Sequence, residues 1–286
     1  MLKYATELQA TNDNIRLNEV QKLLKLDTFS EERRGQEMQK YRRILDESLD
    51  TEQFEQMRDD RLVTFERSKD YRTWLESKQA CLLILSGYNE PSISDEDECW
   101  LSPIALNLIE HLSRPNGAVI IAYHLLPLRR ETLIHHVLPI VLLQLLRQKR
   151  QALRDEKEHA ELCAELRKYD ELSNKKEKDD MIEYTRIATL QKIALRVVNF
   201  FEESETVYII VDRVDRCRDP RKADHRKALV KALVRMVEGA KCNLKILAVI
   251  NGYDWIVEER RDEFGEEKKG RVIIHTERQC RLDLES

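Results

Sequence analysis

Five short apolar runs recur between residues 80 and 277, separated by stretches with helical spacing, and this alternation restricts the fold more than any other feature. The runs are "ACLLILSG" (80–87), "GAVIIAYHLL" (117–126), "TVYIIVDRVD" (206–215), "LKILAVINGYD" (244–254) and "RVIIHTE" (271–277). They are nearly continuous rather than alternating, the pattern of strands buried on both faces in a parallel sheet covered by helices. Helical patterns at 103–113, 130–168, 180–203 and 222–238 fill the intervals. The predicted fold class is therefore α/β, with a doubly wound, mainly parallel five-stranded sheet.

Residues 1–75 form an N-terminal helical extension to the α/β domain of 76–286. Leu17, Val20, Leu23 and Leu24 mark one amphipathic helix, and Tyr41, Ile44, Leu45 and Leu49 a second, which starts near Ser30 and Glu31. Their apolar stripes are narrow, so they are expected to pack on the main domain or on a partner. Between the second and third strands lies a long helical insertion, about 130–203, more than one crossover helix needs. Within it, "LRKYDELSNKKEKDDMIEY" (166–184) reads as a solvated linker.

The 49 basic and 53 acidic residues nearly cancel, to a net charge of −4. That balance argues against wholesale nucleic-acid binding and leaves only local basic surfaces. Six cysteines (Cys81, Cys99, Cys163, Cys217, Cys242, Cys280) stand singly, without the close pairs usual in zinc sites, and read as reduced thiols of a cytoplasmic protein. The longest apolar stretch, Leu133–Leu146, is shorter than the roughly 20 residues a membrane span needs. No basic start followed by an apolar core marks a secretory signal at the N-terminus.

The third run ends on Asp212, with Asp215 three positions on. A carboxylate at the carboxyl end of a central strand faces the crevice where α/β sheets bind ligands. There it can hold Mg²⁺ while a neighbouring acid polarises water. The plainer alternative is a strand-end Asp that caps a helix or pairs with Arg213 or Arg216.

With "VYIIVDRVDRC" (207–217) preceded by "CLLILSG" and "VIIAYHLL" and followed by "LKILAVINGYD", the chain resembles the NACHT-like P-loop NTPase domains of STAND proteins, abundant in fungi. The resemblance spans roughly residues 40–280. It implies that Trp74 and Leu75 precede the first strand and that Asp212 and Asp215 are the Walker B acids, Asp212 for Mg²⁺ and Asp215 as the catalytic acid of an active enzyme. It also implies Mg-ATP or Mg-GTP as ligand. Asn251 and Gly252 stand where the family carries a Ser or Thr-Arg sensor pair.

A Walker A loop, G-x-x-x-x-G-K-[ST], wraps phosphates with backbone N–H groups, a lysine and a Mg²⁺-binding hydroxyl. Counted from Gly87, Ser92 replaces the second glycine, Ile93 the lysine, and Ser94 keeps the hydroxyl. Counted back from the next helix, Trp100 and Leu101 replace Gly-Lys and Ser102 keeps the hydroxyl. No lysine lies between Lys78 and Lys149, and Pro91 removes an N–H donor. Asp95, Glu96, Asp97 and Glu98 add negative charge. Like charges ~4 Å apart repel by about 4 kcal/mol in a partly screened site, so this run opposes phosphate wherever it faces one.

The expectation is a degenerate P-loop domain acting as a regulatory or protein-interaction module, through a protein partner or self-association, with nucleotide hydrolysis lost or weakened. One alternative is an ATP- or GTP-binding signalling NTPase that grips phosphate through Arg129 or Arg130. Another is polyanion or RNA binding through Lys227, Lys231 and Arg235, which share a helix face at i, i+4, i+8. That stripe lacks the interleaved aromatics that stack bases. His135 and His136, adjacent on a helix, point about 100° apart and do not converge on one metal.

Overall fold

The computed structural model describes residues 2–48, 63–88, 101–114, 119–127, 131–175, 180–219, 224–252, 254–260 and 270–278. Five strands form one sheet: β1 (Cys81–Tyr88), β2 (Ile120–Leu125), β3 (Thr206–Asp212), β4 (Asn243–Asn251) and β5 (Val272–Arg278). The order is β2-β3-β4-β1-β5, and every pairing is parallel. Each strand falls on one of the five apolar runs. Leu82, Leu83, Ile84 and Leu85 are all fully buried, because helices cover both faces of the sheet.

Eight α-helices have both ends within the described residues. In chain order they are α1 (Leu2–Leu23), α2 (Glu31–Ser48), α3 (Lys69–Glu76), α4 (Ser102–Leu112), α5 (Ile134–Gln148), α6 (Glu156–Asn174), α7 (Asp180–Val198) and α8 (His225–Gly239). Alternate strand residues feed two cores. Leu82, Ile84, Val207, Ile209, Leu244 and Ile246 meet α5, α7 and α8 on one face. Cys81, Leu83, Leu85, Ile210, Leu247 and Val249 meet α3 and α4 on the other. The chain leaves β1 through α4 on one face and leaves β3 through α8 on the opposite face. Such a reversal opens a crevice at the carboxyl ends of the strands.

The N-terminal helices are built into this body. Ser30 Oγ accepts the N–H of Arg33 at 3.1 Å and fixes the start of α2. From α1, Leu17, Val20 and Leu24 enter the larger core. Asp13, nearly buried, takes a two-pronged contact from Arg154, Nε to Oδ1 at 3.0 Å and Nη2 to Oδ2 at 2.8 Å. Tyr41 and Leu45 of α2 bury against Leu106 of α4.

Two expectations need correction. The helical pattern of 130–168 is two helices separated by a 3-10 turn at Arg150–Arg154, after which Asp155 caps α6 by accepting Glu158 N–H at 3.0 Å. The supposed linker of 166–184 is mostly helix: α6 runs to Asn174 and α7 starts at Asp180. The charges of that segment hide an apolar stripe, since Leu162, Leu166 and Tyr169 share one buried face of α6.

The outer edge of β2 has no strand beside it among the described residues. Two glutamines of α5, one turn apart, bond its main chain instead. Gln144 donates to Tyr123 O at 2.7 Å and accepts from Tyr123 N–H at 3.0 Å; Gln148 does the same to Ile121 at 2.8 and 3.1 Å.

Candidate functional site

Asp212 is the last residue of β3, completely buried, on the face covered by α2 and α4. Ser102, equally buried, opens α4, where Pro103 fits the first turn because its missing N–H has no helical acceptor there. Between them lies the hydroxyl of Tyr41 from α2. It donates to Asp212 Oδ2 at 2.5 Å and lies 3.3 Å from Ser102 Oγ. Asp212 Oδ1 has no hydrogen-bond partner among the described residues.

Burial pushes the Asp212 carboxyl up to about 6, with the Tyr41 and Ser102 hydroxyls and the Arg213 guanidinium drawing it only partly back. Burial, and then the negative charge of Asp212, raise the Tyr41 phenol well above its ordinary value, so it stays a proton donor. A buried carboxylate whose hydrogen bonds come only from hydroxyls is under-compensated.

Asp215 is placed differently. It is fully buried in an ionic cluster, where Arg213 donates to its Oδ2 through Nε at 3.0 Å and Nη2 at 2.9 Å. Its Oδ1 accepts the Asn251 N–H at 2.8 Å, which ties the end of β3 to the end of β4. Arg213 Nη2 also reaches Asp254 Oδ2 at 3.2 Å. Arg213 sits in the left-handed region (φ 60°), a conformation that L side chains rarely adopt. The pairing anticipated for the strand-end acid thus falls on Asp215, with Arg213 as its main partner.

Gly87, near the end of β1, pairs in register with Asn251, and its carbonyl accepts the Gly252 N–H at 2.7 Å. One strand, β4, separates it from β3. Ser94, Arg129 and Arg130 lie outside the described residues. The structure therefore gathers Asp212 and Ser102 around Tyr41, sets Asp215 in a neighbouring ion cluster, and leaves Gly87 buried near the carboxyl end of β1. On α8, Lys227 and Lys231 are half-buried and Arg235 is exposed, with its guanidinium hydrogen-bonded to Gln191 of α7.

Tyr41 and Asp254 are the members that motif reading misses, and Arg213 was anticipated as a partner of Asp212 rather than of Asp215. Tyr41 carried only an apolar-stripe signal, and nothing local to it points to an acid 171 residues away.

Comparison with protein-family models finds no match to the chain, and comparison with curated proteins finds none either. The crevice chemistry therefore rests on its own residues. Among the described residues, no helix is long and apolar enough to cross a membrane.

Proposed function

We propose that the chain is a degenerate P-loop domain of the STAND and NACHT kind, serving as a regulatory or protein-interaction module in which nucleotide hydrolysis is lost or weakened. The observation that carries this reading is the Tyr41 hydroxyl on Asp212. Asp212 is the acid that the resemblance assigns to Mg²⁺, and Ser102 is the hydroxyl that one loop alignment assigns to the same ion. A phenol from the chain's own N-terminal helix stands between them. The all-parallel sheet, with the acid at a strand's carboxyl end beside the start of α4, supports the P-loop reading. The loop sequence weakens phosphate binding further, through the missing lysine and the four added carboxylates. Mg-ATP or Mg-GTP would be held by Asp212 and Ser102 only with Tyr41 displaced. Asp212 and Ser102 would then hold the ion, which would supply charge stabilisation to phosphoryl transfer.

Calorimetry with Mg-ATP and Mg-GTP tests the proposal. No heat of binding is expected at micromolar protein for the wild type, and phosphate release should not exceed that of Asp212→Ala. Micromolar binding by the wild type that Asp212→Ala abolishes would overturn it.

A further inference from the structure

We infer that His135, Glu183 and His225 form a binding site for a divalent transition-metal ion of the zinc class, on the sheet face opposite Tyr41. Three helix starts meet there: His135 is the second residue of α5, Glu183 the fourth of α7 and His225 the first of α8. His135 Nε2 lies 2.7 Å and His225 Nε2 3.7 Å from Glu183 Oε1. One donor atom from each residue falls within 4.8 Å of the others. A tetrahedral ion bound at about 2.0–2.2 Å by two imidazoles and a carboxylate holds its donors roughly 3.3 Å apart. The donors here bracket that value, so an ion requires only small side-chain shifts.

Two further observations point to a ligand. His225 is 1% exposed, yet neither ring nitrogen has a hydrogen-bond partner among the described residues: Nδ1 is buried and unbonded, and Nε2 stops 3.7 Å short of Glu183. A metal bond at Nε2 gives that nitrogen the partner it lacks, with the imidazole proton carried on Nδ1. His135 carries the outer partner that a metal-bound imidazole uses, with its Nδ1 3.1 Å from the Tyr169 hydroxyl. His135 Nε2 faces Glu183 Oε1 at 2.7 Å; binding an ion at Nε2 requires the tautomer with the proton on Nδ1, whose N–H then donates to the Tyr169 hydroxyl oxygen.

Glu183 supplies one anionic oxygen donor, and His135 and His225 two imidazole donors, a set that suits a zinc-class cation. Glu183 divides its oxygens, Oε1 toward the imidazoles and Oε2 toward Arg186 Nη1 at 3.6 Å. The guanidinium of Arg186 stacks over the Tyr169 ring, 5.5 Å from its centroid. Its positive charge weakens affinity, whereas Asp219 and Asp224 place negative charge around His225.

Titration of chelator-treated protein with Co²⁺, followed by Zn²⁺ competition, tests the site. One Co²⁺ per chain should give the strong visible d–d absorption of a tetrahedral site without a thiolate charge-transfer band, and Zn²⁺ should displace it. Glu183→Gln and His225→Ala should each abolish the absorption, and Tyr169→Phe should weaken affinity by about tenfold. A second group, Glu19, His159 and Cys163, supplies the control: His159→Ala should leave the spectrum unchanged. Absence of the band in the wild type overturns the inference. So does a thiolate band, or a visible band that survives His225→Ala or is lost in His159→Ala. Where a variant fails to fold, as circular dichroism would show, the wild-type spectrum alone decides between the two clusters.

Discussion

Tyr41 donates its hydroxyl proton to Asp212 across 171 residues of sequence, and so joins the second N-terminal helix to the carboxyl end of a central strand. The carboxyl it meets is fully buried and sits at about 6 rather than the 3.8 of a free aspartate, because burial disfavours its charged form. Between those values the folded protein keeps a proton that the unfolded chain has released. Stability from this group is therefore greatest below pH 4, declines as pH rises to about 6, and is constant above. The displacement corresponds to about 3 kcal/mol. Asp212→Asn, which keeps shape and removes the charge, should raise the unfolding free energy at pH 8 by up to that amount and leave it unchanged at pH 4. Denaturant melts at the two pH values check this; no gain at pH 8 would refute it.

Arg213 neutralises Asp215 where neither side chain touches solvent. Removing one member of a buried pair strands the other charge, at a cost of roughly 3–5 kcal/mol. Arg213→Met should lose that much stability in urea unfolding. Adding Asp215→Asn should recover a large part of the loss, although the amide still has to answer the Asn251 N–H.

Gln144 and Gln148 bond the β2 main chain in the same way but differ in burial: the Gln144 bonds are buried and the Gln148 pair is exposed. Water can replace the second pair and not the first. Gln144→Leu is expected to destabilise by about 2–4 kcal/mol, and Gln148→Leu by under about 1 kcal/mol. Thermal unfolding of the two single variants, side by side, distinguishes these outcomes.

His275 links β5 to α3, with Nδ1 2.8 Å from Asp70 and Nε2 2.9 Å from Glu277. The hydrogen bond to Glu277, and then that to Asp70, raise the imidazole above its ordinary 6.5 despite burial. The imidazolium thus stabilises the fold fully below pH 6.5, and this contribution fades as pH climbs through the raised value. The stability gap between wild type and His275→Gln should be widest near pH 6 and close in the alkaline range. A gap that grows with pH would contradict the assignment.

The strands were legible because a parallel sheet buries both faces, and each strand therefore leaves an unbroken apolar run. Asp212 at a strand end and Ser102 at a helix start were legible for the same local reason. The residues that finish each site were not. Tyr41 reads as one more member of an apolar stripe, and its partner is fixed only when α2 lies across α4. His135, Glu183 and His225 come from three helices, with Glu183 hidden in a charge-rich stretch that reads as linker. Convergence of that kind is set by crossovers and helix packing, which local periodicity does not encode.

The glutamine contacts along β2 have a consequence for how copies of the chain can combine. Unpaired strand edges recruit other strands, and here α5 has already occupied one of the two edges. Among the described residues, growth of the sheet is left to the β5 side, which has no strand beside it. Two copies joined there would make a continuous ten-stranded sheet with a glutamine-lined helix at each end. Extension of that kind terminates at a pair and cannot run on into a filament, so light scattering of any sheet-linked species should stop at the dimer mass.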